Sequence, residues 1–72
     1  MLIENDRIIV FVGDYVRLVN NYYGAPSKFY RVDDIRTYDV LLLENGVYVP
    51  ARVDYIAELL SAKQYKERFN DA

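Results

Sequence analysis

Short apolar runs and alternating apolar and polar positions fill the first two thirds of the chain. Such runs, rich in Val, Ile, Tyr and Phe and bounded by Asn, Asp, Gly or Pro, are typical of β-strands. The pattern predicts strands at residues 7–12, 15–19, 29–36, 40–43 and 47–49. The run 40–43 is apolar at every position, which predicts an interior strand of a sheet.

Turn-forming residues separate these strands. Asn45-Gly46 between two apolar runs predicts a hairpin with a type I′ turn, in which both central residues need a positive φ. Pro50 is expected to end the next strand, because it has no N–H for a ladder hydrogen bond. Gly13-Asp14 allows two interpretations, a tight turn between two strands or a bend within one longer, curved strand.

Two irregular segments flank the middle strand. Residues 20–28 contain Asn, Gly, Pro and Ser and predict the clearest loop of the chain. Within the strand that follows, Ile35 is out of phase with Tyr30 and Val32. This phase change predicts a bulge or a turn near Asp33-Asp34.

The spacing of apolar residues changes after Pro50. Val53, Ile56, Ala57 and Leu60 recur three and four positions apart, as on one face of a helix. The spacing predicts a short helical turn within residues 51–60.

The last segment carries a helix-start signal. Ser61-Ala62-Lys63-Gln64 has the form of a capping box, in which Ser61 and Gln64 bond to each other's backbone N–H groups. A second, C-terminal helix is therefore predicted over residues 61–70. Its Tyr65 and Phe69 lie four positions apart and are expected to dock it on the rest of the fold.

The composition excludes several kinds of chemistry. The 72 residues include no Cys and no His, so zinc sites of the common type, disulfides and thiol or imidazole catalysis are excluded. The length predicts one domain, residues 1–72, whose 53% hydrophobic content argues against disorder. No signal peptide is recognisable, and the apolar run 8–12 is too short to span a membrane, which favours a cytoplasmic protein.

Five short strands, predicted within residues 7–50, can close into a small barrel that leaves no exposed sheet edge. At this level the chain resembles SH3-like small barrels, including their KOW-type branch, and short phage and mobile-element proteins. The resemblance rests on residues 12–18, 30–35, 40–43 and 47–50. It implies a mainly β fold, here with an added C-terminal helix. The loop after the first barrel strand lacks the Gly- and Lys-rich character with which KOW domains contact nucleic acid.

The acidic residues do not form a recognisable catalytic pattern. Neighbours such as Asp33 and Asp34 point to opposite faces of a strand, so they are not expected to share a site. Nucleotide-binding and nucleophile motifs are missing from the sequence. We therefore expect no enzymatic activity, no metal and no cofactor.

A nucleic-acid interface is the weaker of two binding hypotheses. Arg17 and Arg31 alternate with Tyr15 and Tyr30, and aromatic rings beside Arg can stack on single-stranded bases. The net charge of −2, however, leaves no basic surface for the phosphate backbone.

Protein binding is the leading hypothesis, because Tyr is large, rigid and half polar. Tyr22 and Tyr23 lie in the predicted loop, where two adjacent aromatic residues rarely both enter a core, although one of them can fold back over the barrel end. Tyr38 and Lys28 complete the candidate partner-binding residues. The resemblance implies a phage-encoded inhibitor of a host defence or transcription protein. The alternatives are a structural component of a larger assembly and a homodimer through apolar residues of the predicted helical segments, which are Val53, Ile56, Leu60, Tyr65 and Phe69.

Overall fold

The computed structural model describes residues 1–19 and 28–69 of the chain. In chain order the elements are β1 (Ile3–Glu4), β2 (Arg7–Ile8), β3 (Tyr15–Leu18), β4 (Phe29–Arg36), a short 3₁₀ turn (Thr37–Asp39), β5 (Val40–Leu43), β6 (Tyr48–Pro50), β7 (Ile56–Leu60) and α1 (Ala62–Phe69). The predicted class, mainly β with one C-terminal helix, is confirmed.

The main sheet has five antiparallel strands in the order β6-β5-β4-β3-β7. β1 and β2 form a separate two-stranded ribbon. The main sheet has five strands, as predicted. Its fifth strand is β7, however, and not the strand predicted over residues 7–12, which belongs in part to the ribbon. Within the described part of the chain no pairing joins β6 to β7. The sheet is therefore open, and the predicted closed barrel is not found.

The helical turn predicted within residues 51–60 is wrong, because Ile56–Leu60 is a strand. Its pairing with β3 shifts register, with Arg17 opposite Glu58 but Leu18 opposite Ile56. A bulge of this kind breaks the two-residue period of a strand. Apolar residues three apart, Ile56 and Leu59, thus both pack on the core, which imitates helical spacing.

The core lies against one face of the main sheet, which we call the inner face. Its buried residues are Ile8, Val16, Leu18, Tyr30, Val32, Leu41, Leu43, Val49, Ala51 and Ile56. Every strand of the main sheet contributes to this cluster, and Ile8 and Ala51 come from the ribbon and the segment beside it. Ile8 N donates to Ala51 O at 2.9 Å, and Val53 N donates to Asp6 O at 3.1 Å, so backbone hydrogen bonds fix the ribbon beside this segment.

The first predicted strand, residues 7–12, is shorter than expected. It pairs only over Arg7–Ile8, after a two-residue turn at Asn5 (φ 54°) and Asp6 (φ 66°). Both central residues of this turn have positive φ, which is the type I′ geometry. At Gly13 (φ 97°) the chain makes the tight turn that was one of two interpretations, with Asp14 N donating to Phe11 O at 3.0 Å.

The β5–β6 hairpin forms as predicted, but its turn is of another type. Gly46 N donates to Leu43 O, and Leu43 N donates to Val47 O, both at 2.9 Å. Gly46 has φ 85°, whereas Asn45 is not among the residues with positive φ. The hairpin is thus a three-residue loop with Gly46 in the left-handed region, not a type I′ turn. Strand β6 ends at Pro50, as predicted.

The predicted bulge in β4 is confirmed, since the pairing with β5 shifts register between Val32 and Asp34. The predicted capping box is confirmed as well. Gln64 N donates to the Ser61 Oγ at 3.1 Å, and Ser61 N donates to Gln64 Oε1 at 2.9 Å. Among residues 1–19 and 28–69, no helix has the length and apolar character needed to cross a membrane.

Candidate protein-binding surface

Helix α1 covers one half of the sheet's outer face, the face opposite the core. Tyr65 stacks on Tyr15 of β3, with ring centroids 3.8 Å apart and planes within 4°. Phe29 of β4 lies 6.1 Å from the Tyr65 ring and 5.6 Å from the Phe69 ring. Phe29 is 8% exposed although it faces away from the core, because the helix shields it. The predicted docking of the helix through Tyr65 and Phe69 is thus confirmed.

Glu58 joins three elements on this covered half. Its carboxylate accepts from the guanidinium of Arg68 on α1 at 3.0 Å and from that of Arg17 on β3 at 3.3 Å. The hydrogen bond from Arg68, followed by the one from Arg17, lowers the pKa of Glu58 below its ordinary value, against a partial burial that would raise it.

We expect the Glu58 pairs to make stability dependent on acid pH. Since the pKa of Glu58 is lower in the folded chain, the pairs stabilise the fold above the ordinary carboxyl pKa of about 4.3 and are lost as the pH falls through the folded pKa. Glu58→Gln should therefore lower the free energy of unfolding at pH 7, and the difference from the wild type should shrink at acid pH. Urea unfolding at both pH values measures this, and a difference that is equal at both would contradict it.

The other half of the outer face, on β5 and β6, is not covered by the helix. Cross-strand pairing places its side chains in two rows, which are Arg36–Val40–Pro50 and Asp34–Leu42–Tyr48. The alternate positions, Leu41 and Val49, are fully buried on the inner face. We call Tyr38, Val40, Leu42, Tyr48 and Pro50 the outer-face surface. Val40, Leu42 and Pro50 are half-buried, and Tyr48 is 50% exposed.

Tyr38 stands at one end of this surface, in the turn between β4 and β5. It is 92% exposed, the highest value among the exposed large hydrophobic residues that the structure describes. Its backbone is in the left-handed region, with φ 62° and ψ 31°, and Asp39 follows at φ 59°. For a bulky residue this conformation is strained, and strain of this kind clusters at functional sites.

Hydrogen bonds hold this strained turn in place. The Arg7 guanidinium donates to the Asp39 carboxylate at 2.9 Å, and this bond raises the pKa of Arg7 above its ordinary value. Ala51 N donates to Asp39 O at 3.0 Å. The turn is thus fixed from the β1–β2 ribbon and from the segment after β6, so Tyr38 is presented from a supported backbone.

The charges beside the outer-face surface balance each other. Arg36 and Asp34 lie on the same strand, with Nε and Oδ2 3.9 Å apart and both side chains more than half exposed. Such an exposed pair adds little stability. The outer-face surface therefore has apolar residues at its centre and, at its margin, an Arg–Asp pair whose charges cancel. An apolar centre with a polar rim is typical of protein interfaces.

The predicted partner-binding residues do not come together. Tyr22 and Tyr23 lie outside the described residues. Lys28 precedes β4, with its ammonium 5.7 Å from the Tyr30 ring centroid, whereas Tyr38 follows the other end of the strand. Eight residues of extended strand separate them by about 25 Å. Tyr38 alone of these candidates belongs to the outer-face surface.

The residues of the nucleic-acid hypothesis are engaged in other contacts. Tyr30 is a core residue on the inner face and is 8% exposed, so its ring is not a platform for a base. Tyr15 is stacked on Tyr65, and Arg17 is paired with Glu58. Arg31 bonds to Asp33 at 2.7 Å, which raises the pKa of Arg31. These contacts leave little surface on which Tyr and Arg could act together on a nucleic acid.

Sequence reasoning missed most of the outer-face surface. Val40 and Leu42 were interpreted only as evidence of an interior strand, and Tyr48 only as a strand residue. The sequence nevertheless contains a signal for this surface. A strand with apolar residues on both faces needs other residues packed against each face. β5 is an interior strand as predicted, yet Val40 and Leu42 on its outer face are only half-buried, whereas Leu41 and Leu43 on its inner face are fully buried.

Comparisons with models of known protein families, with curated proteins and with solved structures found no match to this chain. Within residues 1–19 and 28–69, no group of three or more acidic side chains is placed to hold a metal ion.

Proposed function

We propose that this chain is a non-enzymatic protein-binding module that uses the outer-face surface. One observation carries the proposal, the apolar and only half-buried outer face of β5 and β6. An antiparallel sheet with its core on one side ordinarily presents polar residues on the other. Here Val40, Leu42, Tyr48 and Pro50 occupy those positions, and the exposed Tyr38 lies in the turn that precedes β5.

Tyr38 and Tyr48 are the expected anchors of the interface. Interface energy concentrates in a few large residues, above all Trp, Tyr and Arg, that fill pockets on the partner. Tyr38 has almost its whole side chain free for such a pocket, and its strained backbone is fixed in advance by the Asp39 contacts. A side chain presented in this way loses little conformational freedom on binding, which favours affinity.

The SH3-like assignment remains part of the proposal. A four-stranded meander, β3 to β6, with the last strand β7 beside the first supports it. Within residues 1–19 and 28–69, β6 and β7 do not pair with each other, which distinguishes this sheet from a closed barrel. A phage-encoded inhibitor of a host defence or transcription protein is the finer form of the proposal, and a subunit of a larger assembly is the alternative. The identity of the partner distinguishes them.

Affinity capture followed by binding measurements tests the proposal. Wild-type protein and the double variant Tyr38→Ser/Tyr48→Ser are used as baits, and the captured protein is then purified and titrated against both. Because each Tyr anchor contributes about 2 kcal/mol or more, we expect the double variant to bind at least a hundredfold more weakly.

A matched control comes from the N-terminal part of the chain. Phe11 is 66% exposed and lies outside the outer-face surface. Phe11→Ser should therefore bind the captured protein as the wild type does. Equal affinity of the wild type and the Tyr38→Ser/Tyr48→Ser variant would overturn the site, provided that circular dichroism shows both to be folded.

A further inference from the structure

A second apolar surface lies on the N-terminal ribbon, away from the outer-face surface. Five of the eight exposed large hydrophobic residues among the described ones fall within residues 1–12, each between 52% and 70% exposed. They are Met1, Leu2, Ile3, Phe11 and Val12, and we call them the ribbon surface. Met1, Leu2 and Phe11 line one shallow hollow together with Ile9, so these three residues of the ribbon surface adjoin one another.

Strand β1 forms the outer edge of this ribbon. β2 lies between β1 and residues 51–53, because Ile8 N donates to Ala51 O and Arg7 is bridged to Arg52. On its other side, β1 pairs with no strand among the residues that the structure describes. The edge is thus free and carries apolar side chains, the combination that invites pairing with another strand.

The hydrogen-bonding pattern shows which residue faces outward. Ile9 N donates to Leu2 O at 3.0 Å, so Leu2 directs its backbone groups toward β2. Antiparallel pairs alternate between bonded and non-bonded positions. Ile3, opposite Ile8, is therefore at a non-bonded position, and its N–H and C=O point away from the ribbon.

We propose that a second copy of this chain pairs with the free edge of β1, antiparallel, with Ile3 of one copy opposite Ile3 of the other. Two reciprocal hydrogen bonds then satisfy both outward N–H and both C=O groups. In this register Glu4 of one copy lies opposite Leu2 of the other, so no like charges face each other. The ribbon surfaces of the two copies become continuous across the two-fold axis.

A second copy fits this edge better than an unrelated partner. An antiparallel pair about a two-fold axis is self-complementary, which is the common geometry of homodimers. Glu4, the one charged residue of β1, is paired with Arg7 at 3.3 Å and offers no charge for selecting an opposite partner. The ribbon surface consists of five apolar side chains that are each more than half exposed, and an apolar patch of this kind marks an interaction site.

Sedimentation velocity over a concentration series tests the pairing. The wild type should form a dimer with a dissociation constant in the micromolar range. Ile3→Pro removes the outward N–H without removing a hydrogen bond to β2, and it should weaken dimerisation at least tenfold. Tyr38→Ser is the matched control and should dimerise as the wild type does. A wild type that stays monomeric up to millimolar concentration, or a dimer that is lost with Tyr38→Ser and kept with Ile3→Pro, would overturn the proposal.

Cross-linking provides a measurement that is independent of the proline variant's folding. The chain has no native Cys, so a single introduced thiol reports on one position. Two Ile3→Cys copies in this register place their Cα atoms about 5.5 Å apart, within disulfide range. We expect rapid disulfide dimers for Ile3→Cys and none above background for Lys63→Cys on the exposed face of α1. Equal yields for the two variants would contradict the pairing.

Discussion

Leu41→Ala is expected to lower the free energy of unfolding by about 2–5 kcal/mol. Leu41 is fully buried, lies on an interior strand and sits between Ile35 and Val49 of the neighbouring strands. The substitution removes apolar area and leaves a cavity that these neighbours can fill only in part. A domain of this size rarely has more than about 5 kcal/mol to lose, so much of the variant should be unfolded at 37 °C.

Leu42→Ala is the matched control for this experiment. Leu42 is next to Leu41 on the same strand but belongs to the outer-face surface, where it is half-buried. Its loss of stability should be less than half that of Leu41→Ala in urea or thermal unfolding. Similar losses for the two variants would show that the outer face of β5 is covered as fully as the inner face, and would also remove the basis of the proposed binding surface.

Phe29→Ala is expected to release helix α1 from the sheet and to cost about 3 kcal/mol or more. Phe29 is the sheet residue whose ring meets both Tyr65 and Phe69, and Arg68 also lies 5.8 Å from its centroid. A helix of eight residues is not stable in water without such packing. Helical signal in circular dichroism should fall, and amide exchange within residues 62–69 should accelerate.

Phe29→Leu separates the loss of the helix from the loss of the fold. Leu keeps an apolar side chain under α1, so we expect a smaller destabilisation and a helix that stays docked. The inner face, with Val32 and Leu43 paired across β4 and β5, should keep its exchange protection in both variants. Protection of residues 62–69 that is unchanged in Phe29→Ala would contradict the role given to Phe29.

Local patterns predicted the elements that depend on local interactions. The capping box depends only on Ser61 and Gln64, which are three positions apart. The ends of β4 and β5 are likewise marked by turn-forming residues that adjoin them in the chain. Residues 51–60 were assigned wrongly because the bulge opposite Arg17 and Leu18 is set by a distant strand. The turn at Asn45-Gly46 adopted another type for a related reason, since its dihedral angles follow the strand register.

The candidate site was predictable only in part. Tyr38 is a partner-binding candidate in the sequence because it lies beside a turn, and the structure places it in the turn between β4 and β5 with 92% of its surface exposed. Nothing local showed that α1 would cover Phe29 while Val40 and Leu42 stayed only half-buried, because all three residues look equally apolar in the sequence. The difference depends on where the helix packs, which is a property of the whole fold.

The strand order also has a consequence for how the chain reaches its fold. β3, β4 and β5 each pair with the next strand in the chain, whereas β7 pairs with β3, so that Arg17 meets Glu58 from 41 positions away. Closing a long loop costs more chain entropy than closing a short one, and distant pairings slow folding. We therefore expect the meander to form first and β7 to join it last, followed by the stacking of Tyr65 of α1 on Tyr15 of β3. A nascent or truncated chain that ends before β7 would expose the unpaired edge of β3, the point at which this protein is most vulnerable to misassembly.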